Sequence, residues 1–137
     1  MDVMKEKRRR ILYVEGDLDT AEVFSILLDN VGYSVTTAST LSDGLELAKT
    51  REYDLYLLAG ILSDAPGLEL CRRIREFDRK TPVVFFSSLA FKSDKEAARY
   101  AGAKAYLIKP DDIGKIEATL SNLLRPARGN RALQRVE

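Results

Sequence analysis

Short apolar runs recur along this chain with a helical pattern between each pair, and that alternation limits what it can fold into more than any other feature. Ile11-Leu12-Tyr13-Val14 is a run of the kind that forms a strand buried on both faces. Tyr33 to Ala38, with β-branched Val35, Thr36 and Thr37, predicts a second strand, Leu55 to Leu58 a third, Val83 to Phe86 a fourth and Tyr106 to Ile108 a fifth. Pro82 stands at the entry to the fourth, where its missing N–H does little harm.

The intervening segments carry apolar residues at helical spacing. Asp17 and Asp19 offer N-cap oxygens before Ala21, Phe24, Leu28 and Val31, and Gly32 ends that helix. Leu41, Leu45 and Ala48 mark a second helix, weakened by Gly44. Leu68, Leu70, Ile74 and Phe77 form the stripe of a third, Ala97, Ala98 and Ala101 belong to a fourth closed by Gly102, and Ile113, Ile116, Leu120 and Leu124 to a fifth. Five strands alternating with five helices require parallel pairing through right-handed crossovers. The expectation is one α/β domain, a doubly wound sheet with helices on both faces.

Composition agrees with that reading and narrows it. The 137 residues are 45% hydrophobic and 31% charged, as in a compact soluble domain. No apolar stretch is long enough to cross a bilayer, and the basic start is followed by too few apolar residues for a signal peptide, so a cytoplasmic location is expected. Cys71 is the lone cysteine and histidine is absent, which excludes an intrachain disulfide and any histidine-based zinc or catalytic site. Charge is uneven: residues 1–10 carry a net +3, residues 125–137 a net +3 and residues 11–124 a net −5. The chain is accordingly divided into a basic N-terminal segment (1–10), a folded domain (11–124) and a basic, linker-like tail (125–137).

Doubly wound sheets place functional groups outside the carboxyl ends of their strands. Those ends are Glu15-Gly16-Asp17, Ala59-Gly60, Ser87-Ser88 and Lys109-Pro110. None is followed by a glycine-rich phosphate loop of the dinucleotide or Walker type. With Gly32-Tyr33-Ser34-Val35, Asp54-Leu55-Tyr56-Leu57-Leu58-Ala59, Gly67-Leu68-Glu69-Leu70, Pro82 to Ser88 and Ala101 to Pro110 in order, the segment from Arg10 to Leu124 resembles the receiver domain of two-component response regulators. The resemblance implies a flavodoxin-like sheet of order 2-1-3-4-5 and a role in phosphorelay signal transduction. In such domains a phosphoryl group passes from a histidine kinase to an aspartate at the end of strand three, beside a magnesium ion held partly by an acidic pair after strand one.

Transferred position by position, that resemblance makes Ala59 the phosphoacceptor position and Glu15, Gly16 and Asp17 the acidic-pocket positions. Lys109 matches the lysine after strand five, Ser87 the hydroxyl after strand four and Tyr106 the aromatic that reports the state of the site. Lys109-Pro110 matches a peptide bond that is cis in the family. A methyl group accepts no phosphate, and with Gly16 also lacking a carboxylate, a magnesium site is expected to be lost or very weak. Ser63 and Pro66 depart from the family's usual residues in the loop after Ala59.

The resulting expectation is a pseudo-receiver, not an enzyme and needing no cofactor, that binds a protein without aspartyl phosphorylation. The partner would be a histidine kinase, another regulator or a second copy, rather than a membrane or nucleic acid. The expected partner face carries Lys92, Lys95, Arg99, Tyr106 and Lys115. Two alternatives stay open: phosphorylation of a displaced aspartate, Asp64 or Asp17, and a small-ligand or nucleic-acid binder using the vacated pocket or the basic ends. Against these stand plainer roles, in which Lys109 pairs with Glu15, Ser87 bonds backbone and Tyr106 is a half-exposed sheet residue with its hydroxyl in water.

Overall fold

The computed structural model describes residues 8–125. The strands are β1 (Arg10–Val14), β2 (Ser34–Ala38), β3 (Leu55–Leu58), β4 (Val83–Ser87) and β5 (Ala105–Ile108). They form one parallel sheet of order β2-β1-β3-β4-β5. The helices between them are α1 (Leu18–Asn30), α2 (Leu41–Thr50), α3 (Gly67–Arg75), α4 (Lys92–Tyr100) and α5 (Ile116–Leu123), the last entered through a 3-10 turn at Ile113–Lys115.

Because side chains alternate along a strand, each central strand supplies two cores. Leu12, Val14, Tyr56, Leu58, Val83 and Phe85 face α2, α3 and α4, where Leu45, Leu70, Ile74 and Ala98 meet them. Ile11, Tyr13, Leu55, Leu57, Val84 and Phe86 face α1 and α5, packing on Leu28, Ile116 and Leu120. This two-sided burial is why the runs read as continuously apolar. Gly32 and Gly102 both adopt φ of 109° just past α1 and α4, a conformation in which a Cβ would be strained.

Several details depart from the sequence reading. Val31, Phe77 and Ile113 are exposed instead of core, because each lies beyond the regular helix whose stripe it was taken to extend. Cys71 takes the place expected of Phe77: it is fully buried, and burial pushes its thiol up. Gly44 does not merely weaken α2. A Cβ there would stand 3.0 Å from Val14 Cγ2, so its absence lets α2 lie close on β1. Arg8 and Arg9 are not simply solvated, since they lie 2.9 Å from Asp29 and 3.8 Å from Asp54 respectively. Arg10 opens β1, whereas Lys5, Lys7 and the tail after Arg125 fall outside the described residues.

Candidate functional site

The carboxyl ends of β1, β3, β4 and β5 meet around a cleft of about 380 Å³ lined by Glu15, Asp17, Ala59, Ser63, Ser87 and Lys109, among others. Glu15 follows directly on β1 and is almost fully buried. Lys109 Nζ donates to its Oε1 at 2.6 Å, and the Asp17 N–H donates to its Oε2 at 3.0 Å. Tyr13 Oη lies 3.5 Å from the same Oε1. Burial and then the Glu15 charge push the Tyr13 hydroxyl far up, so it stays protonated. Among the described residues Lys109 is the one cation lining the cleft, and its counter-charge lies inside the protein. The Lys109-Pro110 bond is cis.

Asp17 sits at the mouth of the cleft, with its carboxylate turned to its own helix. It caps α1, accepting from the Thr20 N–H at 3.1 Å and from the Thr20 hydroxyl, and that hydroxyl bond in the first place holds its carboxyl below the usual range. Asp64 is likewise engaged elsewhere, accepting from Leu41 N–H at 2.6 Å and Ser42 N–H at 3.3 Å at the start of α2. Neither carboxylate therefore stands beside Ala59 in place of a missing one.

The loop after β3 closes the other side. Ser63 N–H donates to the Ser39 carbonyl at 3.1 Å, and Leu62 is buried. A Cβ on Gly16 would lie 3.0 Å from Ser63 N and 3.1 Å from the Ile61 carbonyl oxygen, so a side chain there would require the loop to shift by a few tenths of an ångström. Gly67 starts α3 under the same loop, its N–H donating to the Gly60 carbonyl at 2.8 Å.

On the far side of the cleft, Ser87 and Tyr106 hold one loop residue between them. Ser87 Oγ accepts from the Leu89 N–H at 3.0 Å, and the Tyr106 hydroxyl donates to the Leu89 carbonyl at 2.7 Å. The Tyr106 ring stacks on Phe85 with centroids 5.6 Å apart, and burial pushes its hydroxyl up. The hydroxyl is thus bonded to backbone, not left in water.

A magnesium ion demands near-octahedral oxygen coordination. Here the two Glu15 oxygens are committed to Lys109 and the Asp17 N–H, the Asp17 carboxylate to Thr20, and Ala59 and Gly16 offer no side-chain oxygen. Among the described residues no three acidic or thiol side chains converge on a metal position. Octahedral coordination at this cleft would have to draw on side-chain oxygens that are already hydrogen-bonded.

With this geometry in view, the response regulator receiver domain profile matches residues 11–121. The chain belongs to the response regulator receiver family. The receiver is 34% identical over 116 residues to the response regulator ArlR of Staphylococcus aureus, an alignment covering 85% of this chain and 52% of the relative. The chain therefore spans about half the length of that relative. Among solved structures, a two-component response regulator from Clostridium difficile superposes with a TM-score of 0.82 at 28% identity, covering 88% of this chain and 99% of the other. The receiver domain of the sensor histidine kinase PA1611 from Pseudomonas aeruginosa, solved with magnesium in its active-site cleft, gives a TM-score of 0.78 at 26% identity, over 85% and 98%. The order 2-1-3-4-5 and the two helical layers of this receiver are those of the fold expected from sequence.

Of the residues singled out from sequence, the cleft gathers Glu15, Gly16, Asp17, Ala59, Ser87 and Lys109. Lys92, Lys95, Arg99 and Tyr106 line a separate groove between α4 and β5, and Lys115 lies apart, on the 3-10 turn, 3.3 Å from Asp112. Two participants were missed. Lys104 joins that groove from the turn before β5, a position whose only sequence signal is a lysine between two alanines at the start of a strand. Leu89 acts through its backbone atoms, which no residue type announces. Among the described residues no helix is long and apolar enough to cross a membrane.

Proposed function

We propose that this receiver is a phosphorylation-independent interaction module of a two-component system, recognised by a protein partner through its scaffold and performing no phosphoryl chemistry. The observation that carries the reading is the Glu15–Lys109 pair at 2.6 Å, in a cleft whose strand-end residue is Ala59. An acyl phosphate needs a carboxylate nucleophile and a free cation to receive the new charge. This cleft has a methyl group in the first place and a neutralised lysine in the second. The diverged loop beside Gly16 supports the same reading, because its backbone would stand 3.0–3.1 Å from a Cβ at that position.

The surface favoured for the partner is the α4–β5 groove with Lys92, Lys95, Arg99 and Tyr106, extended towards Lys115. Family membership makes a histidine kinase, another regulator or a second copy the natural kinds of partner. Phosphorylation on a displaced aspartate gains no support from geometry, since Asp17 and Asp64 each cap a helix.

Incubation with acetyl phosphate and magnesium, followed by intact-protein mass spectrometry, tests the reading. The expected outcome is an unchanged mass. A gain of one phosphoryl group that disappears in Asp64→Asn or Asp17→Asn would overturn it.

A further inference from the structure

We infer that the α4–β5 groove takes an extended acidic segment of a partner protein, laid along the outer edge of β5 as a sixth strand. The inference rests on the interaction-module reading and names the chemistry of the partner. Its basis is a coincidence of charge and backbone at one place.

Among the described residues β5 ends the sheet, and its outer edge is open to strand addition as far as Ile108, whose N–H donates to Asp112 Oδ2 at 2.9 Å and whose carbonyl accepts from the Asp112 N–H at 2.7 Å. Directly beside that edge, a groove of about 390 Å³ is lined by Lys92, Lys95 and Arg99 from α4 and by Lys104 and Tyr106 from the β5 side. Ala98 and Ala105 keep its floor free of bulk. Glu96 is the one acid in the lining, and it lies 3.9 Å from Lys92, whose side chain is 89% exposed, a pair of little worth in water. Among the described residues, Lys95, Arg99 and Lys104 have no carboxylate within 4 Å. Residues 11–124 carry a net −5, so this cluster of unpaired cations runs against the charge of the body around it.

Spacing favours a strand as the occupant. Lys92, Lys95 and Arg99 fall on one face of α4 over about 10 Å, at 1.5 Å per residue. On an added strand every second side chain faces the same way, about 6.6 Å apart. Acids at alternate positions would therefore meet the α4 cations in series, while the intervening side chains turn away. The groove is also formed in advance: Tyr106 is fixed by the Leu89 carbonyl and by stacking on Phe85, so little ordering is left to the moment of binding. A nucleic-acid duplex fits less well. It presents a charge every ~1.7 Å over a wide face, whereas this basic surface is one helix face interrupted by Glu96.

The test is fluorescence anisotropy with a labelled octapeptide alternating glutamate and threonine, against the full chain and Lys95→Glu/Arg99→Glu. Both substituted side chains are exposed, and circular dichroism checks that the variant folds. Saturable binding that weakens with salt, falls ~tenfold or more in the variant and slows amide exchange within residues 104–108 supports the inference. It is overturned by no binding up to about 1 mM, by equal affinity in the variant, or by tighter binding of an equally labelled DNA duplex. A chain that stays unphosphorylated by acetyl phosphate yet ignores the peptide sinks this inference alone, whereas one that gains a phosphoryl group sinks the reading beneath it.

Discussion

Glu15 and Lys109 form the buried ion pair of the cleft, and among the described residues each is the only opposite charge within 4 Å of the other. The Glu15 side chain is 4% exposed and that of Lys109 20%. Removing the lysine alone leaves a carboxylate in a low-dielectric site, and Lys109→Met is expected to cost about 3 kcal/mol, near the low end for a buried pair because Lys109 still touches water. The double variant Glu15→Gln/Lys109→Met should recover most of that loss, and urea midpoints for the three proteins decide it. Asp78 shows a second kind of paired carboxylate. Burial works to raise its pKa but is outweighed by hydrogen bonds from the Thr81 hydroxyl at 2.6 Å, the Thr81 N–H and the Lys80 N–H, so the net shift is downward. A carboxyl held low in the fold contributes stability that is complete above its unfolded pKa, about 3.9, and drains away as pH falls through the lower folded value. Asp78→Asn should therefore lose about 1 kcal/mol at neutral pH and flatten the acid limb of stability against pH. At this scale the sequence was legible where a residue has one natural partner, as Lys109 has in Glu15. It was silent on Asp78, held by a threonine hydroxyl and backbone N–H groups of its own turn, and on Leu89, which takes part only through its backbone atoms.

Among the elements, α3 is placed by a single close approach. A Cβ on Gly67 would stand 1.9 Å from the Ala59 carbonyl oxygen, and that oxygen belongs to the end of a central strand and cannot retreat. Gly67→Ala is expected to destabilise the fold by about 2–3 kcal/mol through overpacking, although alanine is the better helix former. Thermal unfolding followed by circular dichroism reads that loss, and Gly114→Ala, where a Cβ meets nothing within 4 Å, is the control. Strands and helices were readable as elements because two-sided burial leaves unbroken apolar runs and one-sided burial leaves stripes. The misplaced residues Val31, Phe77 and Ile113 are all at or beyond helix ends, where periodicity continues in the sequence after the hydrogen bonding has stopped.

For the whole molecule, Ala59, Gly16 and the loop that touches Gly16 lie on one cleft and are coupled through it. Ala59→Asp alone is expected to remain unphosphorylated by acetyl phosphate with magnesium, because Lys109 stays paired and no oxygen returns at position 16. Adding Gly16→Asp forces Ser63 and Ile61 to move, so the double variant should be about 2 kcal/mol less stable than the parent in urea. Phosphorylation of Ala59→Asp at full stability would contradict this account. Topology was legible from the alternation of elements, but the seal over Gly16 was not, since it depends on a loop folding back across distant chain. The clamp on Leu89 has a further consequence. Ser87 takes its N–H and Tyr106 its C=O, so any rearrangement of the loop after β4 has to break both bonds. Under the proposed reading no phosphoryl group arrives to drive that rearrangement, so a partner meets one shape of this loop.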